Sequence, residues 1–301
     1  DQPGLAREVE EGRHFLPGAP TGGRETIVTS SIDARPQYVI RMPGPGWMPL
    51  LAAIGMAGFF LLLTVKLVVP AILSGIVMIV ACLIWAWELD HGPEIPSVDI
   101  GAGIRLPTYM TGPLSHAWWA MVVLIIVASS LYIAYVFSYL YLWVVSPEVW
   151  PTARGVPGLP AAGWPIGTGL LVVAGAGLVG AAGQLLPRPG RGALAFPLLF
   201  GLGAISFLAA LVCEGLSHWQ TGLRPTDSAY GAMLYMASFL NLQVIAACTI
   251  LSLYAIARYF AGKLDVERRV NFDNAALLYY YAAAQMLLGL ILLHGFPRLA
   301  S

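Results

Sequence analysis

An acidic and a basic side chain lie four residues apart at the end of a strongly apolar stretch. Glu214 and His218 follow residues 194–213, none of which is charged. In a helix this spacing places both side chains on one face. A carboxyl group inside a membrane segment is typical of a proton-linked site. The alternative is that Glu214 lies at the membrane surface, where a helix end can carry a charge without a function.

Neutral amides also occur inside apolar segments, at Asn241, Gln243 and Gln285. A buried amide in lipid must find a partner, and an interhelical hydrogen bond there is worth about 1 kcal/mol. We therefore predict that these buried polar side chains join neighbouring helices. A water-filled polar cavity is the alternative interpretation.

The five histidines do not have the positions that a membrane-bound haem requires. None lies near the centre of an apolar segment, and His116 and His294 are predicted at opposite membrane surfaces. His218 and His294 share one surface, but a metal site needs three or four ligands. The sequence also lacks a nucleotide-binding loop, a Ser-His-Asp order and zinc-ligand spacing. It therefore predicts no catalytic, metal-binding or cofactor-binding residue in this chain.

Residues near the ends of the apolar segments are candidates for contact with lipid or with another protein. Tryptophan and histidine suit the membrane surface, because one part of the side chain is apolar and another is polar. These candidates are Glu88, His116, Trp118, His218 and Trp219.

Seven long apolar segments must position these side chains. The chain is 58% hydrophobic and only 11% charged, and about 20 apolar residues in a helix cross a bilayer core. The sequence predicts an all-α membrane protein with seven transmembrane helices at residues 48–65, 67–87, 116–145, 165–186, 194–216, 228–260 and 275–293. Lys66 and Pro70 predict a tight turn between the first two.

The distribution of positive charge predicts the orientation in the membrane. One side holds twelve lysines and arginines: Arg7, Arg13, Arg24, Arg35, Arg41, Arg105, Arg188, Arg191, Arg258, Lys263, Arg268 and Arg269. The other side holds four: Lys66, Arg154, Arg224 and Arg298. Because cytoplasmic loops carry the excess of positive charge, the N-terminus is predicted inside and the C-terminus outside.

Small residues recur at helical spacing in the fourth segment. Ala176 and Gly180, and likewise Gly177 and Ala181, are four residues apart, which lets two helix backbones approach closely. Residues 1–46, by contrast, are polar and rich in proline and glycine. We interpret them as a connector, which makes residues 47–301 the membrane domain. The chain is expected to be the C-terminal part of a longer polypeptide.

Several stretches resemble cytochrome c oxidase subunit III. Those near the last two helices are His218-Trp219, Pro225-Thr-Asp-Ser-Ala-Tyr-Gly-Ala-Met-Leu-Tyr235, Phe272-Asp273-Asn274 and Tyr279–Tyr281. The end of the third helix, Ser138-Tyr-Leu-Tyr-Leu-Trp143, is similar as well. Residues 33–49 resemble the junction of fused subunit I–subunit III polypeptides. The resemblance covers roughly residues 25–298, and it implies seven helices, of which the first two stand apart from the other five.

The chain departs from that family at its polar positions. The buried glutamate of the third helix has no counterpart in residues 128–131. The two histidines of the sixth helix fall at Leu240 and Gln243, and the acid at the end of the fifth falls at His218. The histidine and aspartate of the seventh fall at Tyr281 and Ala284. Roles that the family assigns to those positions therefore do not transfer.

The resemblance implies an accessory, non-redox domain of a haem-copper terminal oxidase in the bacterial inner membrane. Such a domain stabilises the catalytic subunit I, binds lipid and supports proton uptake in aerobic electron transport. Its partners are subunits I and II and membrane lipids, and the haem and copper lie in those partners or upstream. The alternative is a small-molecule transporter or channel that uses the polar residues of the sixth helix, Asn241 and Gln243.

Overall fold

Long helices account for most of the chain in the computed structural model. It describes residues 7, 11, 25–30, 32–41, 46–89, 97–108, 110, 112, 115–150, 158–187 and 194–299. The long helices are α1 (Met48–Thr64), α2 (Val68–Leu89), α3 (His116–Val145), α4 (Gly163–Gln184), α5 (Ala195–Gln220), α6 (Ala229–Phe260) and α7 (Val270–Leu290). A π-helical turn (Ile291–Gly295) and a short helix, α8 (Phe296–Leu299), extend α7. A single 3₁₀ turn (Pro147–Val149) follows α3.

The protein is a multi-pass membrane protein. Within the part of the chain that the structure describes, six helices are long and apolar enough to cross a membrane, namely α2 to α6 and the segment Val270–Leu299. The apolar α1 is shorter, at 17 residues. Seven crossings and an inward N-terminus remain predictions.

A tight turn separates α1 from α2, as predicted. The Leu67 N–H donates to the Leu62 carbonyl and the Lys66 N–H to the Leu63 carbonyl, both at 2.9 Å. These two bonds form a Schellman motif, whose turn residue adopts the left-handed conformation. Here that residue is Lys66, with a φ of 62°. Gly262, with a φ of 70°, occupies the equivalent position after α6.

The chain divides into two compact units, Asp1–Met110 and Thr111–Ser301. The first unit contains α1, α2 and four short strands that the sequence analysis did not predict. Strands β1 (Glu25–Thr29) and β2 (Pro36–Arg41) form one antiparallel pair, and β3 (Val98–Asp99) and β4 (Arg105–Leu106) form another. The Val39 N–H donates to the Pro107 carbonyl. Part of the predicted connector therefore packs within the same unit as α1 and α2.

The second unit is a bundle of α3 to α7, in which glycines bring α4 and α5 together. A Cβ on Gly175 would lie 2.9 Å from the Phe207 ring, and one on Gly203 would lie 2.9 Å from the Val179 side chain. The small-residue pairs predicted in α4 lie away from this contact between Gly175 and α5. Ala176 packs at the edge of the core, Ala181 is partly buried, and a Cβ on Gly180 would lie 3.0 Å from the Tyr280 hydroxyl.

Gly177, which the sequence analysis paired with Ala181, lies on the outside of the bundle. It is exposed, and no described atom lies within 4 Å of the position that its Cβ would take. The close approach of α4 to α5 depends on Gly175 instead, because this residue lies on the opposite, inward face of α4.

Replacement of Gly175 by Leu should destabilise the bundle by about 1–3 kcal/mol, because the side chain overlaps Phe207 and forces α4 from α5. Gly177→Leu is the matched control, and it should leave the free energy of unfolding of the isolated chain unchanged. Unfolding by denaturing detergent in micelles measures both. Equal effects of the two substitutions would contradict this account of the α4–α5 contact.

Candidate functional site

Three polar side chains from three helices form a hydrogen-bonded chain inside the bundle. The Asn241 Nδ2 group of α6 donates to both carboxyl oxygens of Glu214 in α5, at 3.0 and 3.3 Å. The Gln285 Nε2 group of α7 donates to the Asn241 Oδ1 atom at 2.9 Å. All three residues are buried, with Glu214 only 3% exposed. We call these residues the polar chain.

The inward face of α5 places Glu214 in this position. Buried residues recur along α5 at helical spacing, from Phe196 through Phe200 and Phe207 to Glu214 and His218. The side chain of Glu214 therefore continues a stripe that is otherwise apolar. The carboxyl group therefore faces other helices and not the outside of the bundle.

Asn241 lies on an inward stripe of α6 that also includes Ala237, Ile245, Cys248 and Ser252. Gln243, which was predicted to be buried as well, is exposed on the outside of the bundle. Two residues along a helix turn the side chain by about 200°, so Asn241 and Gln243 cannot both face inward. Small residues occur at helical spacing before and after Asn241. This pattern in the sequence distinguishes the inward Asn241 from the outward Gln243.

His218 and His294 stack on each other near the polar chain. Their ring centroids are 5.3 Å apart and their planes differ by 9°. His218 is fully buried and His294 is 2% exposed. The prediction that His218 contacts lipid or a partner is therefore wrong for this chain. His294 belongs to the π-helical turn Ile291–Gly295, a local geometry that is frequent at functional sites.

The two imidazoles have few hydrogen-bond partners among the described residues. Both ring nitrogens of His218 and the Nδ1 atom of His294 are buried without one. We call these two residues the histidine pair. Their unpartnered nitrogens are costly in an apolar interior, because a buried polar atom without a hydrogen bond has lost its interaction with water.

Tyrosines of α3 line the same interior. Tyr132, Tyr135 and Tyr139 are buried at helical spacing, and Tyr132 and Tyr135 lie near Glu214. The Tyr135 hydroxyl donates to the Met233 carbonyl at 3.2 Å. A Cβ on Gly289 of α7 would lie 2.9 Å from the Tyr132 hydroxyl, so this glycine admits the phenol.

A second feature is a pocket of about 530 Å³ at the end of the bundle where α3 and α7 begin. Its lining includes Trp118, Gly180, Gln184, Arg269 and Tyr280. The Arg269 Nε atom donates to the Asp273 carboxylate at 2.9 Å. Trp118, a predicted lipid or partner contact, thus borders a concave site.

The remaining predicted surface residues are exposed. Glu88 and His116 lie at helix ends, and Trp219 is 56% exposed beneath the guanidinium group of Arg224, which is 3.5 Å from its ring centroid. Among the described residues, no group of three or more His, Cys, Asp or Glu side chains could hold a metal ion. His14 and His91 lie outside the described residues.

Neither protein-family models nor curated proteins produce a match to this chain.

Asn241→Leu should destabilise the protein by about 1–3 kcal/mol. The substitution removes the donor to Glu214 and the acceptor of Gln285 together, and it leaves both groups buried and unpartnered. Gln243→Leu is the control, because it removes an exposed amide two residues away. The free energy of unfolding in detergent compares the two variants. A loss no larger for Asn241→Leu than for Gln243→Leu would show that the polar chain does not stabilise the bundle.

Proposed function

We propose that this chain is an accessory, non-redox membrane domain of a haem-copper terminal oxidase, similar to subunit III. In this proposal it packs against the catalytic subunit I, on the same or a separate polypeptide, and near subunit II in a bacterial inner membrane. It stabilises subunit I, binds lipid and supports proton uptake, while haem and copper belong to the partners. Seven crossings, with the N-terminus inside and the C-terminus outside, are part of the proposal.

The division of the chain after Met110 carries the proposal. It leaves α1 and α2 in one compact unit and α3 to α7 in the other. The resemblance to subunit III implies this same grouping of two helices and five. The resemblance comes from residues 33–49 and from residues in and near α3, α6 and α7, whereas the grouping comes from the contacts between helices, so the two lines of support are separate.

Two features on the outside of the bundle support a protein partner in the membrane. Gln243 is exposed near the middle of α6, where lipid offers its amide no hydrogen bond. Gly177 is exposed on α4 with open space around its Cα atom. In membranes, small residues let two helices approach closely, and polar side chains form hydrogen bonds between them. Another helical subunit would satisfy both positions.

The pocket beside Trp118 supports the lipid-binding part of the proposal. It combines an aromatic side chain with the guanidinium group of Arg269. Among the described residues, this group donates to Asp273, and it does so only through its Nε atom. The remaining guanidinium N–H groups can bind the phosphate of a phospholipid. The apolar walls, among them Leu277 and Ala276, suit the beginning of an acyl chain.

A transporter or channel is the second candidate, and the polar chain is the observation that favours it. Glu214, Asn241 and Gln285 bring a carboxyl group and two amides into the interior of a membrane bundle. Transporters bind their substrates at such polar sites between helices. This candidate predicts that Asn241→Leu abolishes solute flux in liposomes while the protein still folds.

Purification of the native protein from its membrane in mild detergent tests the main proposal. The chain should co-purify with larger polypeptides, and the reduced-minus-oxidised visible spectrum of the complex should contain haem bands. Gly177→Leu should lower the yield of this complex without destabilising the isolated chain, because the added side chain obstructs the partner. A colourless protein that purifies alone would refute the oxidase proposal.

Lipid binding can be measured by mass spectrometry of the purified protein. The wild type should retain an anionic phospholipid that Arg269→Gln loses, because glutamine cannot neutralise the phosphate charge. Arg224→Gln is the control, since Arg224 is an arginine at the opposite end of α6 from the pocket. Equal lipid retention in Arg269→Gln and the wild type would exclude the pocket as the lipid site.

A further inference from the structure

The polar chain contains one group that its structural role does not require. Amides alone can join three helices by hydrogen bonds, yet α5 supplies a carboxyl group, Glu214, that is 3% exposed. An ionised carboxylate in an apolar interior needs a cation close by. No ion pair between Glu214 and another described residue occurs; ion pairs that do occur are Arg7–Glu11, Arg35–Asp33, Arg268–Asp265 and Arg269–Asp273.

The described groups around Glu214 can form hydrogen bonds but do not supply a fixed positive charge. Tyr132 and Tyr135 of α3 lie near it, and Asn241 donates to it from α6. Gln285 of α7 reaches it through Asn241. His218 follows one turn further along α5, on the same buried face.

The histidine pair continues from Glu214 toward the end of the bundle. His218 stacks on His294, and Arg298 follows His294 by four residues. The Arg298 guanidinium donates to the His294 and Pro160 carbonyls. Tyr235 of α6 is 6.3 Å from the His218 ring. Three imidazole nitrogens in this path are buried without a partner among the described residues. Each neutral imidazole can accept one proton, at the nitrogen that carries no hydrogen.

We propose that Glu214 is a proton-binding site, and that His218 and His294 exchange its proton with the aqueous phase at the end of α7. The carboxyl group holds one proton on an oxygen atom, which removes the cost of a buried negative charge. On release, that O–H bond breaks and the proton binds the lone pair of an imidazole nitrogen of His218. His218 returns to its neutral form by donating a proton to a bridging water molecule, because the stacked rings cannot bond each other directly. That water molecule protonates His294, which passes a proton to the aqueous phase, and uptake follows the same steps in reverse.

A metal cation suits this site less well than a proton. Hard cations such as Ca²⁺ take six or more oxygen ligands, whereas one carboxylate and two amides are available here. Zinc sites take three or four ligands, and no described group of that size exists. A proton needs one oxygen atom and a route, and the polar chain and the histidine pair provide these.

Infrared spectroscopy of the full-length chain in detergent tests the binding site. The wild type at neutral pH should show the C=O stretching band of a protonated carboxyl group. Glu214→Gln should abolish this band while keeping an acceptor for Asn241. Glu148→Gln, which changes an exposed glutamate in the 3₁₀ turn, should preserve it. A wild-type spectrum without the band, or a band that persists in Glu214→Gln, would overturn the proposal.

The exchange of the same band in D₂O tests the route. His218→Phe and His294→Phe keep an aromatic ring in place but remove the nitrogens. Each should slow the deuterium shift of the Glu214 band by about tenfold or more, which corresponds to about 1.4 kcal/mol of added barrier. His116→Phe, at the opposite end of the bundle, should exchange at the wild-type rate. Exchange at the wild-type rate in both His218→Phe and His294→Phe would refute the histidine route.

These measurements do not depend on an oxidase partner, because they use the isolated chain. A colourless protein that purifies alone would refute the oxidase proposal and leave the Glu214 band to be tested. Conversely, an ionised Glu214 in a haem-containing complex would refute the proton site alone.

Discussion

The hydrogen-bonding requirement of polar groups in an apolar interior constrains this protein most strongly. Glu214, Asn241 and Gln285 lie where neither water nor lipid can satisfy them, so each must be partnered within the bundle. Their two links join α5, α6 and α7, and this fixes the rotation of each helix about its own axis. A rotation of any one helix would break one of these hydrogen bonds and leave a polar group without a partner in the apolar interior.

Glycines provide the packing that this arrangement needs. Gly175 and Gly203 let α4 and α5 approach closely, and Gly289 of α7 admits the hydroxyl group of Tyr132 beside the polar interior. In the first unit, a Cβ on Gly55 would lie 2.8 Å from the Met78 backbone nitrogen of α2. Because lipid provides no hydrophobic driving force between helices, such close contacts contribute much of the association energy.

The proposed functions use different surfaces of one bundle. The oxidase proposal concerns its outside, where Gly177 and Gln243 suit a protein partner and the pocket at Arg269 suits a phospholipid. The proton-site proposal concerns its inside, at Glu214 and the histidine pair. The two proposals therefore involve separate surfaces of the bundle and do not exclude each other.

The sequence alone determined the helices, because each one pairs its backbone groups within its own segment and needs only a run of apolar residues. The turn at Lys66 follows from a similarly local pattern. Only the tertiary structure decided that Asn241 faces inward while Gln243 faces outward, that Glu214 is buried, and that His218 meets His294 across 76 residues of sequence. The short strands around Val39 depend likewise on residues far apart in the chain. Such contacts are set by the rotation and packing of several helices together, which no single segment specifies.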